Sequence, residues 1–296
     1  MKELLILSGK GGTGKTTVAA ALVTLLPGKK VLADADVEAA NLSLVLGARP
    51  REEEPFYAGY EPQRDETLCR ACGLCREKCR FEAISEDLSF DPFLCEGCGV
   101  CAWFCPEGAI SMREKRVGSL LVSETDYGPL VHAELIPGEE NSGKLVAEVK
   151  KRARSLAEAG ADLLLVDGPP GVACPVIASL SGAEAVLVVA EPSPSGLHDL
   201  ERLSQLLRHF RLNGFVVVNK ADLCPELAEK ILSFPFLTPL GRIPFDEAVP
   251  QAVREGLPLP LFSKGPATLA LEEIARKIEK KILNAGGEGD EDSGSA

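Results

Sequence analysis

The stretch that decides the fold is Leu4-Leu5-Ile6-Leu7-Ser8-Gly9-Lys10-Gly11-Gly12-Thr13-Gly14-Lys15-Thr16-Thr17. Residues 4–8 read as a short buried strand, and the run from Val18 to Leu26 is helical in pattern. Strand, glycine-rich loop and helix in that order are the setting in which G-x-x-x-x-G-K-[ST], here Gly9 to Thr16, forms a phosphate-binding loop. Glycines let backbone N–H groups converge on phosphate oxygens, and the helix start adds its dipole. Lys15 is expected to reach the β/γ oxygens and Thr16 to offer a hydroxyl to Mg²⁺.

Outward from this loop, strands and helices alternate. Lys30 to Asp34 reads as a second strand that continues into Ala35-Asp36-Val37-Glu38. Leu163 to Val166 is an all-apolar run ending in Asp167-Gly168-Pro169-Pro170-Gly171, the pattern of a buried parallel strand that delivers a carboxylate to the ligand-binding edge of a sheet. Ala185 to Ala190 and Phe215 to Val218 read as two more buried strands, the latter followed by Asn219-Lys220-Ala221-Asp222. Stretches 117–122 and 130–136 also read as strands, and 144–159 as a helix with Leu145, Val149 and Leu156 on one face. A last helix near 267–284 places Leu271, Ile274, Ala275, Ile278 and Ile282 at helical spacing, which predicts packing on a core. The alternation predicts an α/β fold with a doubly wound, mainly parallel sheet.

The 296 residues carry 32 Lys and Arg against 44 Asp and Glu, a net charge of −12. That balance argues against a broad electrostatic hold on nucleic acid or anionic membrane. Apolar runs fall short of a membrane span and the first residues lack an export signal, so a cytoplasmic protein is expected. In that setting ten cysteines point to metal ligation rather than disulfides.

Eight of the ten fall between Cys69 and Cys105, as Cys69, Cys72, Cys75, Cys79 and then Cys95, Cys98, Cys101, Cys105. Each member of the first quartet lies 26 residues before its counterpart, and Ala83-Ile84-Ser85 recurs as Ala109-Ile110-Ser111, so the segment is an internal duplication. Three thiolates spaced by three suit one iron–sulfur cubane, with the fourth reaching across to the other cluster. On that rule Cys69, Cys72, Cys75 and Cys105 would hold one 4Fe-4S cluster, and Cys79, Cys95, Cys98 and Cys101 a second. Zinc would use two pairs per ion and leave the even triplets unexplained. The segment 64–112 resembles a bacterial two-cluster ferredoxin domain, with Pro106 after the last cysteine but Arg80 after Cys79. Trp103 and Phe104, inside the second motif, are expected to shield a cluster from water.

Lys10 narrows the resemblance of the phosphate loop. G-K-G-G-x-G-K-[ST]-[ST] resembles the deviant Walker A motif of the MinD/ParA class (P-loop NTPases of SIMIBI type), which includes the nitrogenase iron protein and the Mrp-type iron–sulfur carriers. The resemblance implies that residues Gly9 to Thr17 bind nucleotide, that Lys10 reaches across a nucleotide-dependent homodimer, and that Asp36 orients the attacking water. It also implies that Thr16, Asp36 and Asp167 serve Mg²⁺. Asn219, Lys220 and Asp222 resemble the base-contacting N-K-x-D element, with the choice of adenine or guanine open, and Arg242-Ile243-Pro244-Phe245 resembles the late loop near the base. Cys174, seven residues after Asp167, is spaced like a cluster ligand of the nitrogenase iron protein, and reads either as a packed thiol near the switch or as an interface thiol that touches a metal or cluster in a dimer. The loop from Gly138 to Lys144, where that protein's other ligand would fall, holds no cysteine but offers Asn141 and Ser142 as helix caps. Cys224 reads as a small packed residue.

The expected organisation is one ATPase domain over 1–63 and 113–284, a ferredoxin insertion over 64–112, and a disordered acidic tail over 285–296. The expected activity is ATP hydrolysis that gates electron transfer from two 4Fe-4S clusters to a redox partner. ATP-dependent iron–sulfur or metallocofactor assembly on a client protein is the alternative, and a positioning or partition ATPase a third. Neither nucleic acid nor membrane is an expected partner.

Overall fold

The structure, a computed structural model, describes residues 1–139 and 143–284. The acidic tail and the cap candidates Asn141 and Ser142 lie outside the described residues. The chain forms two compact units. The larger comprises Met1–Glu54, Leu120–Glu134 and the described part of Asn141–Ala296. The smaller comprises Pro55–Ser119 with the described part of Leu135–Glu140.

Strands β1 (Lys2–Ser8), β2 (Lys30–Asp34), β3 (Arg49–Arg64), β4 (Ile110–Thr125), β5 (Gly128–Leu135), β6 (Leu163–Pro170), β7 (Ala185–Ala190), β8 (Asn213–Asn219) and β9 (Leu237–Ile243) form one sheet. Their order is β3-β4-β5-β2-β6-β1-β7-β8-β9. From β5 to β9 every neighbour pairs in parallel. Leu4, Leu5, Ile6 and Leu7 of β1 and Leu163 to Val166 of β6 are fully or almost fully buried, which is why both read as unbroken apolar runs. The register Ile6↔Asp167 and Asp34↔Asp167 brings the ends of β1, β6 and β2 to one edge of the sheet.

Helix Lys15–Leu25 starts directly at the loop after β1, and Val18 to Val23 are buried in the core. The last helix, Pro266–Ile278, continues as a π-helical turn over Glu279–Leu283. Leu271, Ile274, Ala275, Ile278 and Ile282 are all buried, so this face is a core face. Among the described residues no helix is long and apolar enough to cross a membrane.

Two strands were not legible. β3 reads R-P-R-E-E-E-P-F-Y-A-G-Y-E-P-Q-R, with three prolines and no alternation. It lies at the end of the strand order, where a missing N–H is tolerated and charged side chains discourage further pairing. Arg51 pairs with Glu124 at 3.1 Å and Glu52 with Arg152 at 2.6 Å. β9 holds a proline and a glycine, which obscured it likewise.

In the smaller unit the duplication is structural as well as sequential. Helices Leu74–Lys78 and Val100–Trp103 each follow a glycine in the left-handed region, Gly73 at φ 75° and Gly99 at φ 76°. The repeated Ala83-Ile84 and Ala109-Ile110 pairs are buried, and Ile84, Leu88 and Ile110 form a small core with Cys75.

Candidate functional site

The phosphate loop hangs between the end of β1 and the first turn of helix Lys15–Leu25. Gly14 has φ 89°, and a Cβ there would collide with Asn219 Nδ2, so both conformation and space demand glycine. Asn219, at the end of β8, donates from Nδ2 to the Thr13 carbonyl at 2.7 Å. Lys220 Nζ donates to the Gly12 carbonyl at 3.4 Å. The N-K-A-D segment thus touches the loop itself. Its Asp222 accepts from Phe245 N at 2.7 Å, which ties it to the Arg242-to-Phe245 loop that contains Pro244.

Lys15 is the centre of the charge cluster. Its ammonium lies 2.6 Å from Asp167 Oδ1 and 3.2 Å from Asp36 Oδ2, and the Thr16 hydroxyl donates to Asp167 Oδ2 at 2.7 Å. Burial works to lower the Lys15 pKa, but the charges of Asp167 and Asp36 outweigh it and hold the ammonium above its usual value. Asp36 is pushed up chiefly by burial, against the pull of Lys15.

Asp34 joins them and was missed in the sequence. It is wholly buried, and burial followed by the charge of Asp167 pushes its carboxyl well above the usual range. Its oxygens accept from Asp36 N at 3.1 Å and Leu42 N at 3.0 Å, so it pins both ends of the loop that presents Asp36. The signal was the D-A-D spacing at the end of β2, read only for its second member.

Lys10 points elsewhere. Its Nζ donates to Ser193 Oγ at 3.3 Å and Ser195 Oγ at 3.1 Å and lies 3.6 Å from Glu191, all just after β7. Thr17 is half-buried in the following helix, while Gly11 and Gly12 are exposed. The Thr13 hydroxyl is buried with no hydrogen-bond partner, a donor left over at the loop. An ammonium between two carboxylates marks a place built for a cation, and a hydroxyl with two carboxylates is a donor set suited to Mg²⁺.

In the smaller unit, Cys79 of the first motif and Cys95, Cys98 and Cys101 of the second line one narrow cavity of about 20 Å³. Its walls include Phe81, Ile84, Phe90, Val100 and Met112. Burial pushes the Cys101 thiol up, the Ala102 N–H opposes this, and the nearby Cys95 and Cys98 add to it. Burial likewise pushes Cys75 up, opposed by the Arg76 N–H and aided by Cys69 and Cys72. Cys105 Sγ accepts from Ala109 N at 3.3 Å and packs with Cys69 on the Ile84/Leu88/Ile110 core. Among the described residues no group of three or more His, Cys, Asp or Glu is placed to hold a metal ion.

Trp103 and Phe104 differ from expectation. They are 86% and 46% exposed and do not line the four-thiol cavity; Phe81 and Phe90 do. A short helix ending at Trp103 turns both rings outward. Cys174 is exposed at the start of helix Cys174–Leu180, and Cys224 is half-buried just before helix Pro225–Leu232.

The CbiA family, the CobQ/CobB/MinD/ParA nucleotide binding domain, matches residues 4–259. The chain therefore belongs to this family, and it is a P-loop ATPase of the MinD/ParA kind. It is 31% identical to an uncharacterised protein of Methanocaldococcus jannaschii over 95% of this chain and 97% of that one. It is 24% identical to the iron-sulfur cluster carrier protein of Pyrococcus horikoshii over 97% of this chain and 88% of that one. Among solved structures it resembles the septum site-determining protein MinD complexed with Mg-ADP from Pyrococcus horikoshii, with a TM-score of 0.57, 20% identity, and 95% of this chain and 96% of that chain covered.

Proposed function

We propose that the chain is an ATP-hydrolysing switch whose smaller unit carries two 4Fe-4S clusters and passes electrons to a partner protein according to nucleotide state. The observation that carries the reading is the pairing, on one chain, of a loop at which Lys15, Thr16, Asp36 and Asp167 converge with a duplicated segment that holds eight cysteines.

In this reading, nucleotide phosphates compete with Asp167 for Lys15 and Thr16, both of which donate to it in this structure. Bound Mg²⁺ would supply charge neutralisation between the phosphates and the Thr16, Asp36 and Asp167 oxygens. Asp36 orients the water that attacks the γ-phosphorus, releasing ADP and phosphate. Lys10 leaves Ser193, Ser195 and Glu191 to reach the phosphates of a second copy in a nucleotide-dependent homodimer. Asn219, Lys220, Asp222 and Pro244 form the base side of the site. Cys69, Cys72, Cys75 and Cys105 hold one cluster and Cys79, Cys95, Cys98 and Cys101 the other, supplying one-electron chemistry when bound.

Anaerobic purification with iron and sulfide analysis, then cluster spectroscopy with and without Mg-ATP, tests this. About eight irons per chain are expected, together with electron transfer that differs between ATP and ADP. Identical transfer with ATP, ADP and no nucleotide would remove the gating. A second reading, ATP-dependent delivery of an iron–sulfur or other metallocofactor to a client, is favoured by the resemblance to the iron-sulfur cluster carrier protein. It predicts iron moving to an apo-acceptor under reducing, anaerobic conditions. Retention of all iron would count against it.

A further inference from the structure

Strands β8 and β9 are parallel neighbours with Asn219 opposite Ile243, so Lys220-Ala221-Asp222 and Pro244-Phe245-Asp246 leave the same edge of the sheet side by side. Lys220 sits in the left-handed region at φ 53°, which turns the chain out of β8 into the single 3-10 turn Ala221–Leu223. Asp222, on that turn, accepts from Phe245 N through Oδ1 at 2.7 Å. Asp246 holds the other end of the later segment, accepting from Ala248 N at 2.9 Å and from Ala267 N at 3.3 Å. Gly265 keeps that end close, since a Cβ there would lie 2.6 Å from Asp246 Oδ2. Two side-chain carboxylates thus fix the loop, one from each side.

These bonds limit what the loop can offer a ligand. Pro244 has no N–H, and the N–H of Phe245 is taken by Asp222. Through the backbone, these two residues present carbonyl oxygens, which only accept. Adenine carries an exocyclic amine at N6, whereas guanine carries a carbonyl oxygen at O6 together with N1–H and N2–H donors. A carboxylate that reads guanine accepts those two donors with both of its oxygens, and Oδ1 of Asp222 is already engaged. Carbonyl acceptors suit the adenine amine and leave O6 of guanine facing no donor, a mismatch that a hydrogen-bonding site penalises strongly.

Resting on the ATP-site reading above, we infer that Asp222 selects adenine without touching it. It is a positioning residue: it sets the Pro244-Phe245 carbonyls and withdraws the N–H that guanine would need. Asn219 and Lys220 donate to the Thr13 and Gly12 carbonyls, so the wall for the base is tied to the cradle for the phosphates.

The test is titration calorimetry of the full chain in Mg²⁺ with ATP, GTP, xanthosine triphosphate and inorganic tripolyphosphate. The parent is expected to bind ATP at least about tenfold more tightly than GTP. Asp222→Ala frees the Phe245 N–H. It should weaken ATP by about two- to tenfold, the range for one lost hydrogen bond, narrow the preference over GTP, and leave tripolyphosphate unmoved. Asp222→Asn keeps an oxygen that can accept from Phe245 N and should restore most of the ATP affinity. Unchanged ATP affinity in Asp222→Ala, or equal loss of ATP, GTP and tripolyphosphate, overturns the inference. So does an Asp222→Asn protein as weak as Asp222→Ala, or one that gains affinity for xanthosine triphosphate, because either result requires the side chain to meet the base. If Asp222→Ala does not fold, the parent's ATP-to-GTP ratio and the Asp222→Asn response still decide. A parent that prefers GTP overturns this inference and leaves the phosphate loop standing, whereas one that binds neither ATP nor tripolyphosphate overturns the ATP-site reading as well.

Discussion

Lys15→Met removes an ammonium but keeps an unbranched apolar stem, and its cost follows from the charges it leaves behind. Lys15 is 5% exposed, and its Nζ lies 2.6 Å from Asp167 and 3.2 Å from Asp36. Asp167 and Asp34 are wholly buried. Without the ammonium, three carboxylates share one pocket with no cation. Removing one partner of a buried ion pair costs about 3–5 kcal/mol. At roughly 2–4 °C per kcal/mol, the melting temperature should fall by roughly 6–20 °C in the absence of nucleotide. Asp34 and Asp36 already sit above the usual carboxylate range, and losing Lys15 moves them further up. Groups whose pKa is raised by folding favour the folded state below their unfolded value and lose that contribution as pH rises through the folded one. The deficit should therefore be greater at about pH 8 than at about pH 5. Adding Asp167→Asn to Lys15→Met removes one of the stranded charges and should recover at least about 1 kcal/mol. Thermal melts by circular dichroism of the parent, the two single variants Lys15→Met and Asp167→Asn, and the double variant at both pH values provide the measurement. Lys15→Met melting within about 1 kcal/mol of the parent, or no recovery in the double variant, would refute the account of this pocket.

Gly14→Ala should weaken ATP binding by tenfold or more, since φ 89° disfavours a side chain and the new Cβ meets Asn219; titration calorimetry with ATP reads this directly. Glu3, which is 1% exposed and holds Lys150 and Arg154 at 2.7 Å each, should cost about 3–5 kcal/mol when replaced by Ala, with the ATP affinity of the folded protein unchanged. His132 is buried beside Ser123, and burial lowers its pKa against the charge of Glu134. Its contribution to stability is present above about pH 6.5 and lost as pH falls, so His132→Leu should flatten the loss measured by urea unfolding between about pH 7 and pH 5. Cys79→Ser should lower bound iron toward about four per chain while Cys174→Ser leaves it unchanged, as colorimetric iron analysis will record.

The part of the fold that could be read in the sequence is the part buried on both faces. β1, β2, β6, β7 and β8 are apolar runs because a parallel strand inside the sheet meets side chains above and below. β3 escaped notice because its partners on one side are solvent and its residues are chosen against pairing. At the candidate site Lys15 and Thr16 were legible from the spacing of the loop and Asp167 from its place at the end of an apolar strand, whereas Lys10 and Asp36 came from the resemblance to the MinD/ParA class. Asp34 was not legible, because its significance lies in accepting from Leu42 N across the loop. Glu191, Ser193 and Ser195 were hidden for the same reason: they meet Lys10 across more than 180 residues of sequence. The duplicated cysteine motifs announced themselves by period, but the outward turn of Trp103 follows from a helix only four residues long. Nothing in the pattern C-A-W-F-C distinguishes a ring that covers a cavity from one that faces water.

The four-thiol cavity has a consequence for heredity. One copy of the 26-residue repeat contributes only three thiols to it, Cys95, Cys98 and Cys101, and the fourth comes from the other copy. A chain with a single copy could complete the same cavity only by associating with another chain, so this arrangement places inside one polypeptide what would otherwise be an interface between two. Deleting either copy would therefore dismantle this cavity, since neither copy holds all four of its thiols.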